Sequence, residues 1–366
     1  MDKISLPRSL LHNTSRSRLL WSSMYSLWIC GRQISNGVLS KMESRKIIVT
    51  GGLGLIGHNV VQRLMAQGHQ VAVTDIKTNY GLVPQDELDY LMSERRKKIP
   101  DARVHGIDIA DQDGIDWMFR EYKPDTVIHL ASFPRQKVVN VNPMIGSRAM
   151  SEGLLNLLEA SKRNNVCKFI YISSSMVYGD FTDDVTEDAV CRPQGQYGIM
   201  KLAGEWLVRD YSRRGLFDHV IIRPSAVYGE YDVEDRVVSK FLLTAMRNGV
   251  IKVNGANETL DFTYVEDAAD GIVAAALSHN TSNKTYNITK SHSRTLSDAA
   301  NLAVKIVGQG TIEVKDKDAD FPSRGALNID AARRDFGYDP KVDVEEGFQR
   351  YYEWLNHSVY WSKKTV

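Results

Sequence analysis

The sequence predicts a doubly wound α/β fold: a parallel sheet covered on both faces by helices, with a smaller α+β lobe. Two observations carry this. From Arg45 onward, short apolar runs without polar alternation alternate with longer amphipathic stretches. A glycine-rich turn also joins the first run to the first helix. Continuous apolar strands are strands buried on both faces, the condition of a parallel sheet between helical layers.

The elements follow in order. Lys46–Thr50 (KIIVT) reads as the first strand, with a helix from Leu55 to about Gln67 after it. Gln70–Thr74, Ala102–His105 and Thr126–Leu130 give the second to fourth strands, and Lys168–Ser173 and His219–Arg223 the fifth and sixth. Between them, apolar residues recur at helical spacing over Asp113–Tyr122, Arg148–Arg163 and Tyr197–Arg213. Past Val227, Gly, Asn and Pro become more frequent, and helices over Val237–Arg247, Glu266–Leu277 and Val344–Leu355 lie among short extended pieces. The expected layout is a leader over 1–44 and a sheet domain over 45–190, to which 197–228 also contributes. A lobe largely over 191–356, interleaved with the sheet, and a tail over 357–366 complete it.

Charge and cysteine content narrow the function classes. The 366 residues hold 46 Lys+Arg and 45 Asp+Glu, a formal charge of +1, which gives no electrostatic reason to expect nucleic acid or a membrane surface as partner. Cys30, Cys167 and Cys191 are too few and too scattered for a disulfide framework or a zinc site. No metal is expected, and a reducing compartment, the cytoplasm, fits. Residues 1–40 hold five basic residues, one acid and nine serines, leaving the rest of the chain at −3. That composition suits either an organelle transit peptide or an unstructured extension ahead of a start at Met42. The apolar stretch Leu19–Cys30 is shorter than the roughly 20 residues a membrane span needs.

Two motifs carry chemistry. Thr50–Gly57 (TGGLGLIG) sits where a strand hands over to a helix. Glycines allow a tight turn and close approach of a pyrophosphate, to which the helix N-terminus offers free N–H groups. Asp75 closes the second strand 18 residues past Gly57, near the roughly 20-residue offset of an acid that holds ribose hydroxyls. A carboxylate there favours NAD and repels the extra phosphate of NADP; a turn or capping aspartate would look the same. Downstream, Tyr197 and Lys201 lie one helical turn apart on one face. A nearby cation is expected to draw the phenol pKa down toward working pH. Ser173–Ser175 end the fifth strand, 23 residues before Tyr197 for Ser174, where open parallel sheets bind ligands.

With these motifs in order, the chain resembles the extended short-chain dehydrogenase/reductases, in their NAD-dependent epimerase/dehydratase branch. The likeness runs from Lys46 to about Leu355. It rests on TGGLGLIG, Asp75, Asp108-Ile109, Leu130-Ala131-Ser132 and ISSSMVYG (Ile172–Gly179). YGIMK (Tyr197–Lys201), RPSAVYG (Arg223–Gly229), DFTYVED (Asp261–Asp267) and YNI (Tyr286–Ile288) complete it. The resemblance implies a Rossmann fold with Gly51, Gly54 and Gly57 and the Leu55 and Ile56 amides on the pyrophosphate. Asp75 would hold the adenosine ribose, and Asp108 and Ile109 would flank adenine. Leu130, Ala131 and Ser132 would line the path to the nicotinamide, and Ser174, Tyr197 and Lys201 would be catalytic. It further implies a homodimer built on the Tyr-bearing helix and its neighbour over Arg148–Arg163, and a nucleotide-sugar substrate.

Within the branch, dehydratases and decarboxylases that resemble this chain carry a carboxylate just before VYG. Here that position is Met176, beside Ser175, so redox-neutral C4 epimerisation of a UDP-hexose or UDP-uronate is the first expectation. A dehydrogenase or reductase of a sugar nucleotide or sterol is the alternative, with a 4,6-dehydratase or a non-catalytic NAD sensor behind it. Leu260 stands where such enzymes often place a phosphate-gripping arginine, and Arg236 or Arg324 is expected to replace it.

Overall fold

The computed structural model describes residues 44–363, apart from 80, 82, 134 and 320. The expected leader, up to residue 43, and the last three residues of the expected tail lie outside the described residues. The chain runs β1 (Lys46–Thr50), α1 (Leu55–Ala66), β2 (Gln70–Thr74), α2 (Gln85–Lys97), β3 (Arg103–His105), α3 (Gln112–Tyr122) and β4 (Thr126–His129). Two short helices, α4 (Gln136–Val141) and α5 (Pro143–Ser147), lead through a π-helical turn at Arg148–Glu152 into α6 (Gly153–Arg163). Then come β5 (Lys168–Ile172), α7 (Gly195–Arg213) and β6 (Asp218–Pro224). Beyond them lie β7 (Val227–Tyr228), α8 (Val237–Met246), β8 (Val250–Asn254), β9 (Thr259–Asp261), β10 (Thr263–Tyr264), α9 (Val265–Leu277) and β11 (Lys284–Ile288). The chain closes with β12 (Ser293–Thr295), α10 (Leu296–Val307), β13 (Thr311–Lys315), α11 (Asp330–Phe336) and α12 (Val344–His357).

Seven strands form one sheet in the order β11-β6-β5-β4-β1-β2-β3, and every neighbouring pair is parallel. This is the expected doubly wound Rossmann architecture. In β1, Ile47 and Val49 join Val60, Val61, Leu64 and Ile272 of α1 and α9 in one core. Ile48 points the other way, to Ile115, Phe119, Leu157 and Val208 of α3, α6 and α7. A strand buried on both faces has no polar side, which is why the sequence shows an unbroken apolar run. The winding direction reverses at β1, between β2 and β4. The crevice therefore opens at the carboxyl ends of these strands.

The smaller lobe has its own core, with Tyr228, Phe241, Leu242, Phe262, Phe348 and Tyr351 at its centre. Three two-stranded sheets, β10-β7, β12-β9 and β13-β8, brace it. Between its parts α9 and β11 return to the large sheet, and residues from Ser44 onward cluster as a single unit. The lobes are interleaved rather than consecutive. No helix among the described residues is long and apolar enough to cross a membrane.

The six strands read from the sequence occur within two residues of their expected bounds. Among the features that differ, helices α4, α5, α10 and α11 are additional to those expected, and three others bear on the site. The edge strand β11 was not expected, although the YNI motif lies within it. The stretch over 148–163 begins with a π-helical turn. Helix α2 was not read at all, because QDELDYLMSERRK looks like solvated surface, whereas Glu87 and Arg95 are buried beside Leu91 and Met92.

Candidate active site

The site is built at the carboxyl ends of β1, β2, β4 and β5. Gly51 has φ +71°, and a Cβ on it would stand 2.6 Å from the Ala131 amide nitrogen. A Cβ on Gly57 would stand 2.0 Å from the Gly51 carbonyl oxygen. Both positions therefore require glycine, and the turn packs directly on the strand-end segment Leu130–Ala131. Thr50 locks that contact: its carbonyl accepts from Leu130 N at 3.1 Å, and its hydroxyl oxygen accepts from Ala131 N at 3.2 Å. Helix α1 then begins with no capping side chain and no acid in its first turn. That leaves its N-terminal N–H groups and dipole for an anion. Asp75 Oδ2 accepts from Leu53 N at 2.7 Å, so the acid also shapes the turn. Burial raises the Asp75 pKa, and the Leu53 N–H and Arg95 oppose the rise.

Ser174 follows β5, and its hydroxyl oxygen accepts from Met176 N at 3.2 Å. Tyr197, in the first turn of α7, lines the same cleft wall as Ser174. One turn on, Lys201 Nζ donates to the Ile172 carbonyl at 2.7 Å and lies 5.8 Å from the Tyr197 ring centre. The expected lowering of the phenol pKa is not found. Burial raises it, against smaller opposing effects of Arg236 and the Ser174 hydroxyl. Burial also draws Lys201 down to about 7, although Glu205 opposes this. The lysine is spent on a carbonyl rather than on the phenol, so it is a weaker cation for Tyr197 than spacing alone implied.

One cleft of about 740 Å³ gathers these groups. Its lining includes Gly51, Gly54, Leu55, Ile56, Gly57, Asp75, Asp108, Ile109, Leu130, Ala131 and Ser132. Ser174, Ser175, Tyr197, Lys201, Arg236 and Arg324 line it as well. Every site residue expected from the sequence thus meets the others at one opening. The sequence model of the NAD dependent epimerase/dehydratase family matches residues 47–289.

The chain belongs to that family. NAD is the family's cofactor, and the bare glycine cradle, uncapped helix and strand-end Asp75 fit a dinucleotide. Among solved structures, the chain is similar to a UDP-glucuronic acid 4-epimerase from Bacillus cereus, with TM-score 0.77, 26% identity, and 84% of this chain and 98% of that one covered. It is also similar to a UDP-glucose 4-epimerase from Thermotoga maritima, with TM-score 0.75, 25% identity, and 85% and 98% covered. A dTDP-glucose 4,6-dehydratase of Neisseria meningitidis is 27% identical over 346 residues, covering 87% of this chain and 95% of that protein. Epimerase/dehydratase membership thus leaves the reaction to be argued from the site.

On the far side of the cleft, Leu260 is buried within the lobe core. The Nε of Arg324 is buried without a hydrogen-bond partner among the described residues, and burial lowers this arginine to about 10. Arg236 Nε stands 3.8 Å from Asp232 Oδ1. Ser175 Oγ donates to Ser225 Oγ at 3.2 Å, which turns its hydroxyl toward β6. Sequence reasoning missed several supports. His129 Nδ1 pairs with the Thr50 hydroxyl at 2.7 Å, and burial lowers its pKa to about 3, so the ring is neutral. Arg135 pairs with Asp235 at 2.5 Å on the cleft wall. Glu205 is fully buried, accepts from Ser173 Oγ at 2.6 Å and pairs with Arg223 at 2.7 Å. Its signal was readable: it lies one further turn past Lys201 on α7.

Proposed function

We propose that the protein interconverts C4 epimers of a UDP-linked hexose or uronate with NAD retained in the site. The observation that carries this reading is the meeting of Ser174, Tyr197 and Lys201 on the wall of one cleft, with Lys201 one turn from the phenol and methionine at 176 where a dehydratase would need an acid. In this reading Gly51, Gly54 and Gly57, with the Leu55 and Ile56 amides, hold the pyrophosphate, and Asp75 holds the adenosine ribose. Asp108 and Ile109 flank the adenine, and Leu130–Ser132 line the way to the nicotinamide. When bound, the nicotinamide would supply the chemistry of taking and returning a hydride. Ser174 holds the C4 oxygen. Tyr197, as the phenolate, accepts the C4 hydroxyl proton and returns it once the 4-keto sugar presents its other face. Lys201 grips the nicotinamide ribose. Arg324 and Arg236 take the substrate diphosphate in place of the absent arginine at 260. The lobe over 191–356 is the proposed substrate side, the protein a homodimer and its compartment the cytoplasm.

A second reading, net oxidation by a dehydrogenase, draws on the apolar Leu260 in the cleft wall. One experiment separates them. Purified protein is given UDP-glucose, UDP-glucuronate and their C4 epimers without added cofactor, while absorbance follows NADH. Interconversion without net NADH is the expected result. Stoichiometric NADH would replace the epimerase with a dehydrogenase, and bound NAD with no conversion of any sugar would sink both.

A further inference from the structure

Helix α2 brings one buried arginine to the cofactor turn and to the sugar-side loop at once. Arg95 is 6% exposed. Its Nη1 donates to the Leu53 carbonyl at 3.1 Å, while Leu53 N donates to Asp75 at 2.7 Å. The central residue of the glycine turn is therefore held by its N–H from one side and its carbonyl from the other. The remaining guanidinium edge donates to the Tyr231 carbonyl, from Nε at 3.2 Å and from Nη2 at 2.5 Å.

Tyr231 has φ +69°, a left-handed conformation that is strained for an aromatic residue and persists only where surroundings enforce it. Those surroundings come from both sides, Trp354 of α12 lying 4.8 Å from the Tyr231 ring on the lobe side. The Tyr231 ring stands edge-on to His58 of α1 at 5.5 Å, and the Lys98 ammonium lies 5.5 Å from its centre. Glu87, also on α2, accepts from Glu234 N at 2.7 Å. Between these anchors lies Asp232, buried with no hydrogen-bond partner for Oδ2 among the described residues. Arg236, whose charge acts on the Tyr197 phenol, follows within the same segment.

We propose that Arg95 is a positioning residue: it fastens the NAD-binding turn to the 229–236 loop, so that filling the turn orders the loop carrying Asp232 and Arg236. The inference rests on the assignment of the glycine turn to NAD and needs no particular sugar.

Amide hydrogen exchange of the full chain, with and without NAD+, tests it. In the wild type, NAD+ slows exchange both at 51–57 and at 229–236. In Arg95→Met the slowing at 51–57 remains, the slowing at 229–236 disappears, and NAD+ affinity falls about tenfold, the loss of roughly one charge-assisted hydrogen bond. Arg95→Lys keeps the charge but not the two-sided fork, and gives partial slowing. If thermal melting shows that the Met variant does not fold, the Lys variant decides alone, by partial against full slowing. A purely structural arginine would speed exchange equally in both states and leave the NAD+-dependent difference intact, which would overturn the proposal. So would a wild type that binds NAD+ and transmits nothing to the loop. No change at 51–57 in the wild type would overturn the cofactor assignment itself, and the inference with it.

Discussion

The one-turn spacing of Tyr197 and Lys201 points to a phenol–ammonium pair, and their surroundings revise what each does. Burial raises the phenol pKa, so Tyr197 rests protonated, and to accept the C4 proton it must first give up its own, a loss that an added cation in the cleft favours. Tyr197→Phe keeps the ring and its packing but removes the proton carrier. Turnover is expected to fall about 10²–10⁴-fold, with NAD affinity by titration unchanged; wild-type rates would remove Tyr197 from the mechanism. Lys201, lowered to about 7 in the fold and near 10.4 when unfolded, binds fewer protons in the native state across that window. Stability from this group therefore rises with pH between about 7 and 10.4 and is lowest below it. Lys201→Met should flatten that part of the rise in denaturant unfolding. An unaltered pH slope would show that the lysine is not desolvated as described.

At the scale of elements, the glycine turn and helix α7 make different demands. Gly51→Ala places a methyl group against the Ala131 backbone at a positive φ. The turn must shift, and NAD affinity by titration is expected to drop at least about tenfold; retained affinity would show that the turn does not set the cofactor site. On α7, Glu205→Ala strands Arg223 as a buried unpaired charge, a loss of about 3–5 kcal/mol in denaturant unfolding. A Glu205→Met, Arg223→Met double variant should recover much of it, and equal losses in the two would rule out the ion-pair account. These elements also show what a sequence makes legible. The strands, α1 and α7 announce themselves because their apolar residues meet the sheet at fixed periods, and TGGLGLIG and YGIMK are contiguous. Helix α2 does not, since its inward residues include Glu87 and Arg95, charges that read as surface until their partners, Glu234 and Tyr231, arrive from far along the chain. Partners on other elements likewise hid Arg223 opposite Glu205 and the Ile172 carbonyl that occupies Lys201.

At the scale of the molecule, the proposed homodimer has a visible basis. Tyr211 of α7 donates to Glu159 of α6 at 2.6 Å, so the two helices lie side by side. Their outward residues are unusually apolar: Trp206 is 63% exposed, Ile199 53% and Leu155 39%. Ile199 and Trp206 are seven residues apart and share one face of α7. Exposed apolar residues on two neighbouring helices suit a self-complementary twofold contact, in which each copy buries about 800 Å². Ile199→Glu combined with Trp206→Glu places charge on that face without touching the cleft. The variant is expected to sediment as a monomer while retaining NAD binding, and an unchanged dimer would move the interface elsewhere. Tyr197 lies two residues before Ile199 on the same helix, so pairing would also brace the first turn that holds the phenol. The monomer should accordingly lose turnover more than cofactor affinity, because the pyrophosphate cradle stands on β1 and α1 and takes nothing from α6 or α7.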